Sequence, residues 1–276
     1  VLESHYIMSY HYVKQRESPA HFQRLLATEF ALYDVYDLVL MVNEVEEAYA
    51  RARCQTKVAY VARAVSLAAE PPAESSPEES YDLLFVGSSH IPNTEGVHWF
   101  YKNVFDPWLR PQGLRWAVAG SVCKNLSFSD PMVTVLGAVD DLDNVYRRSK
   151  VVVVPLFRGA GISLKTLEAM GQRKPVVTTP CGRRGLGTAA DEALICNSFQ
   201  ENPREVADAI LALCSSQSMR REYGRRAAAY INSYFGTQTY GRRMDELLAP
   251  LTGGRRDEPQ NELQDDIAEP RLRVAA

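Results

Sequence analysis

No stretch of this 276-residue chain stays apolar for the roughly 20 residues that a membrane-crossing helix needs. No transmembrane segment is expected, and membrane contact is left open only as a peripheral one. Charge of one sign is equally lacking. Lys and Arg number 31 against 34 Asp and Glu, a formal net charge of −3, which gives no electrostatic reason to expect nucleic acid as a partner. The five cysteines, Cys54, Cys123, Cys181, Cys196 and Cys214, show neither metal-ligand spacing nor a disulfide framework. Free thiols of a cytoplasmic protein are the simplest expectation. No internal repeat is present, and no signal peptide is visible at Val1. The chain opens on valine and not methionine, so an upstream segment is expected. A G-x-G-x-x-G turn directly after the first strand is missing too, which argues against a dinucleotide reductase.

Hydrophobic residues make up 46% of the chain, enough for a sizeable core. The stretch with most information is Val151–Thr179. Four valines, Val151–Val154, read as a strand buried on both faces, and Pro155 ends it. Arg158-Gly159-Ala160-Gly161 forms a basic turn, Ile162–Gly171 reads as a helix, and Pro175–Thr179 as a second strand. Amides at such a helix start have no partners inside the helix, and the helix dipole favours an anion there. A phosphate site at Gly161, Ile162 and Ser163 is one reading; a plain connecting loop is the other, and the residues alone leave both open.

The remaining chain extends the same alternation. Helical spacing over Ala20–Tyr36, a strand at Asp37–Val42, a helix at Glu44–Arg53 and a strand at Lys57–Val61 form an incomplete α/β layer over residues 1–65. Val1–Arg16, rich in Tyr and His, reads as a surface segment or a cleft loop. Residues 66–80, with Pro71, Pro72 and Pro77, read as a linker. A second α/β domain follows over residues 81–235. Its strands are expected at Tyr81–Val86, Leu114–Ala119, Val133–Leu136, Val151–Val154, Pro175–Thr179 and Leu194–Asn197. Its helices are expected at Gly96–Val104, Leu142–Ser149, Pro203–Cys214 and Met219–Tyr234. Residues 236–250 hold a last helix, and 251–276 form a polar, disordered tail. Asp140, Asp141 and Asp143 resemble a metal cluster by composition, but a solvated acidic helix start accounts for them better.

Several of these stretches, taken together, resemble family-4 glycosyltransferases of the GT-B fold. They are Arg158-Gly159-Ala160-Gly161-Ile162 with Lys165 and Glu168-Ala169-Met170, then Lys174-Pro175-Val176-Val177; Phe85-Val86-Gly87 with Pro92-Asn93, Gly96 and Trp99-Phe100; and Leu136-Gly137-Ala138-Val139-Asp140 with Tyr146. Glu29–Glu46 resembles the last part of the family's N-terminal domain. The resemblance implies a Rossmann-like parallel sheet with helices on both faces and a donor nucleotide-sugar as partner. It implies no cofactor and no metal, and a final helix returning to the first domain. Glu168 matches the glutamate that grips the nucleotide ribose. Gly87, His90 and Asn93 fall on the loop facing the donor across the cleft, with His90 where many members carry basic residues. Val139 and Asp140 fall where backbone groups meet the base. Arg158, Gly159 and Lys165 fall at the diphosphate, the two basic residues as its stabilisers. Many members also carry a glutamate eight positions before the ribose-binding one, where this sequence has Ala160. The implied activity is sugar transfer, with retention of configuration, to an acceptor glycan, lipid or protein in polysaccharide or glycoconjugate biosynthesis. The residues also fit a nucleotide-binding module without turnover.

Overall fold

The computed structural model describes residues 1–9, 18–69 and 80–252. Most of the Tyr- and His-rich segment, the prolines of the expected linker and nearly all of the expected tail lie outside the described residues.

The first layer is a parallel three-stranded sheet, β1 (Leu2–Ser4), β2 (Leu38–Met41) and β3 (Lys57–Tyr60), in the order β1-β2-β3. Its helices are α1 (Pro19–Tyr33) and α2 (Glu44–Arg51). Ser18 caps α1 with Pro19 in the first turn, and Asn43 caps α2 by accepting from the amides of Val45 and Glu46. Every residue of β2 is buried, because the sheet is covered twice. Val39 and Met41 pack with Leu26, Phe30, Tyr33 and Ala50 on one face. Leu38 and Leu40 pack on the other face with Leu247, Met244 and Tyr240 of the last helix. β1 is a correction to the sequence reading: a three-residue strand carries too little alternation to be legible.

The second layer is a six-stranded, wholly parallel sheet ordered β6-β5-β4-β7-β8-β9. Its strands are β4 (Tyr81–Val86), β5 (Trp116–Ala119), β6 (Val133–Gly137), β7 (Ser149–Val154), β8 (Val176–Thr178) and β9 (Ile195–Cys196). The helices are α3 (Ile91–Phe100), α4 (Leu142–Arg147), α5 (Leu164–Gly171), α6 (Pro203–Ser215), α7 (Gln217–Tyr234) and α8 (Thr237–Leu248). Alternate residues of the central strands feed two cores. Leu83, Phe85, Val151 and Val153 join Phe100, Phe105, Trp116 and Ile210. Leu84, Val152 and Val154 join Leu167, Met170, Tyr230 and Ile231. Burial on both faces is why the four valines run unbroken.

Two helix boundaries differ from the sequence reading. α3 begins at Ile91 and runs into a π-helical segment, Tyr101–Leu109, that contains Pro107; a proline without an N–H disturbs the regular ladder. α5 begins at Leu164, because Gly161 adopts φ 66°, outside the helical region.

The sheet reverses direction between β4 and β7, where winding toward β6 gives way to winding toward β9. Ligands of open α/β sheets bind in the crevice at the carboxyl ends of strands flanking such a switch point. The loops after Val86 and Val154 open there.

Candidate functional site

The loop after β7 meets the first layer at Gly161. Its N–H donates to Glu46 Oε1 at 2.6 Å, and its carbonyl accepts from Asn43 Nδ2 at 2.6 Å and from Arg184 Nε at 2.8 Å. A Cβ at this position would lie 2.3 Å from the carbonyl oxygen of His5. Gly161 therefore joins two layers, and the expectation that its own amide receives an anion is corrected: a carboxylate already holds that N–H. The next amides differ. Those of Ile162, Ser163, Leu164 and Lys165 have no hydrogen-bond partner among the described residues. Ser163 stands at the N-cap without capping, its buried hydroxyl turned to Thr166 Oγ1 at 2.9 Å. The helix start is open to an acceptor from outside, shifted by one to four residues from the glycine.

Lys165 and Glu168 lie one turn apart on α5. Burial pushes the Lys165 ammonium below the usual lysine range; Glu168 pulls it back up and Arg184 pushes it further down. Glu168 is exposed as a residue, yet its carboxyl sits deeply enough that desolvation raises its pKa, against the opposing pull of Lys165 and Arg63. The charged forms of both groups are thus under-solvated, and a polar ligand would relieve that.

Arg158, Arg184 and Arg183 are engaged within the protein. Arg158 forms a fork with Glu95 of α3, Nε to Oε2 at 2.7 Å and Nη2 to Oε1 at 2.6 Å. As it stands, this partner occupies the guanidinium expected at the diphosphate. Arg184 bonds the carbonyl of Ala160 at 2.6 Å and that of Cys181 at 3.0 Å, besides Gly161. Its guanidinium lies against Gly159, where a Cβ would stand 3.0 Å from Nη2. Arg183 holds the carbonyl of Gly187 and the carboxylate of Asp191. Arg184 thus fixes the first glycine loop from the second.

Across the crevice, Gly87 follows β4 with its N–H on Ala119, and an added Cβ would meet the Phe85 ring at 2.7 Å. His90 is the exposed N-cap residue of α3. Asn93 is buried and donates to Ser88 O at 2.9 Å and Ser88 Oγ at 3.2 Å, so its amide shapes the loop. Val139 and Asp140 lie on the loop between β6 and α4, Val139 packing against the second core. Asp141 caps α4 through the amide of Asn144, and among the described residues no group of acidic, His or Cys side chains could hold a metal. A recess of about 490 Å³ opens on the first layer beside α8, lined by Leu40, Val42, Val61, Arg63 and Tyr240 with Glu3 and His5 at its side.

Sequence reasoning missed Asn43, Glu46 and Arg63 as parts of this site; Arg183 and Arg184 read from sequence as phosphate-facing or plain surface charge, and Arg184 instead holds the carbonyls of the first glycine loop. Asn43 and Glu46 read locally as the capped acidic start of a helix, and nothing nearby signals a partner over 100 positions away.

Residues 80–216 match the family model described as glycosyl transferases group 1. A curated Klebsiella pneumoniae protein, an uncharacterized 44.6 kDa protein in the cps region, is 26% identical over 127 residues, covering 41% of this chain and 33% of that protein. Among solved structures, TarM of S. aureus superposes with a TM-score of 0.64 at 15% identity, over 85% of this chain and 48% of TarM. The sucrose-phosphate synthase of Thermosynechococcus elongatus gives 0.65 at 17%, over 91% of this chain and 66% of the synthase. HepE of Anabaena, solved with UDP and glucose, gives 0.68 at 16%, over 90% of this chain and 70% of HepE. The fold is that of these GT-B proteins, and the chain spans about half the length of TarM and a third of the curated relative. Among the described residues, no helix is long and apolar enough to cross a membrane.

Proposed function

Because residues 80–216 belong to the glycosyl transferases of group 1, we propose that this chain holds a nucleoside diphosphate-sugar and serves the transfer of its sugar to an acceptor hydroxyl. The observation that carries the reading is the open start of α5: successive amides without partners, beside Lys165, at the sheet's switch point. In the transfer, the bond between the anomeric carbon and the diphosphate oxygen breaks. The acceptor oxygen bonds to that carbon, and its proton is released. The diphosphate gains charge as it departs, and oriented amides with the Lys165 ammonium stabilise that charge. This reading needs no metal or organic cofactor.

Glu168 receives the ribose hydroxyls, with the Val139–Asp140 backbone facing the base. Uridine is the first nucleoside to test, because HepE was solved with UDP. Retention of configuration is carried by the family resemblance alone, since Ala160 leaves no carboxylate at the first motif position. A role in polysaccharide assembly fits the cps-region relative. A cytoplasmic location fits five cysteines that form no disulfide with one another. The acceptor is a glycan, lipid or protein. A second reading, a nucleotide-binding module without turnover, is favoured by the same alanine and by the chain spanning 48% of TarM.

Glu168→Gln tests the site. Hydrogen bonds to a charged group contribute roughly 1.5–3 kcal/mol, so UDP affinity by calorimetry falls on the order of tenfold or more. Unchanged affinity removes Glu168 from the ribose and leaves the donor site unsupported on that side.

A further inference from the structure

Glu46 is a buried carboxylate on the first turn of α2, far in sequence from the motifs that carry the donor reading. Its two oxygens serve two different elements: Oε2 accepts the amide of Ile7 at 2.7 Å and Oε1 accepts the amide of Gly161 at 2.6 Å. Asn43, one turn earlier, holds the carbonyl of the same glycine at 2.6 Å, and Arg184 holds it from the other side at 2.8 Å. Gly161 is thus fixed at both its amide and its carbonyl, with a φ of 66° that only glycine adopts readily. It stands one residue before the open amides of Ile162–Lys165.

We propose that Glu46 is a positioning residue for the diphosphate: by binding the Gly161 amide it sets the loop so that the following amides face the crevice, and it makes donor binding depend on the docking of the first layer. The inference rests on the donor reading given above. Two observations favour positioning over competition between the carboxylate and an incoming phosphate. The Glu46 charge is offset by its two amide donors, by the start of its own helix and by Arg184 on the adjoining carbonyls. The open amides are also the ones that Glu46 does not touch. A loop without this anchor would have to be ordered by the ligand itself, which lowers affinity.

The test is calorimetric titration of the parent chain, Glu46→Gln and Glu46→Ala with UDP and with uridine, circular dichroism reporting the fold. Gln keeps one acceptor oxygen and Ala none. The expected result is a loss of UDP affinity on the order of tenfold for Ala and a smaller loss for Gln, with uridine affinity unchanged in both. A global structural defect would weaken UDP and uridine together, and that result overturns the proposal, as do equal UDP affinities in all three proteins. Tighter UDP binding by either variant also overturns it, because Glu46 would then be a competitor. A parent that binds UDP no better than uridine defeats the donor reading itself, a result distinct from an unaltered Glu46→Ala.

Discussion

Among single residues, Lys165 carries the clearest pH signature. Burial lowers its pKa from the ordinary lysine value, so the free protein loses this charge at lower pH than an exposed lysine would. In the proposed site the diphosphate binds the ammonium and not the amine. Affinity is therefore full below the lowered pKa and falls as pH rises through it. Glu168 works in the opposite direction. Its pKa is raised, in the proposed site its carboxyl accepts ribose hydroxyls more strongly when ionised, and affinity falls as pH drops through the raised value. UDP affinity should thus pass through a maximum between the two. Lys165→Met should cost about tenfold in UDP affinity, as expected for a lost charge-assisted contact, and should remove the alkaline decline while keeping the acid one. An alkaline limb that survives the substitution would assign it to another group. Arg158 shows why one side chain is hard to place from sequence. The same basic turn that suggests phosphate recognition fits an ion pair, and Glu95, 63 positions away, takes it.

At the scale of elements, strands and helices followed from local pattern, and their joints did not. The valine run of β7, the glycine after β4 and the helix after the basic turn were legible because burial on two faces and φ-permissive turns leave local marks. The approach of α3 to β7 left no mark of its own. Gly96 lies where a Cβ would stand 2.0 Å from the carbonyl oxygen of Pro155. Neither partner is a flexible side chain, so backbone must move. Gly96→Ala should therefore destabilise the fold by roughly 1–3 kcal/mol, the usual range for overpacking, although alanine is the better helix former. Thermal denaturation of the variant checks this, and an unchanged or raised Tm would mean that α3 shifts freely. Gly161→Val belongs to the same class. Sequence alone suggests a cleft loop whose substitution spares the fold. The contact with His5 makes it a layer-to-layer junction instead.

For the whole molecule, two parallel sheets meet through α8 and through the Gly161 junction. The return of the last helix was legible from the family resemblance, and Leu247, Met244 and Tyr240 carry it. The junction was not, because Glu46 and Gly161 are 115 positions apart, and a carboxylate in a capped helix start already has a local explanation. The consequence is that the loop before α5 is shaped by the first layer and not by its own domain alone. The central claim is that the open start of α5 recognises phosphate. Calorimetric titration of the intact chain with uridine, UMP and UDP under identical conditions addresses it most directly. The account predicts affinity rising with each phosphate, UDP binding about tenfold or more tighter than uridine. Equal affinities across the series would contradict it and leave the helix start an ordinary connection between strands.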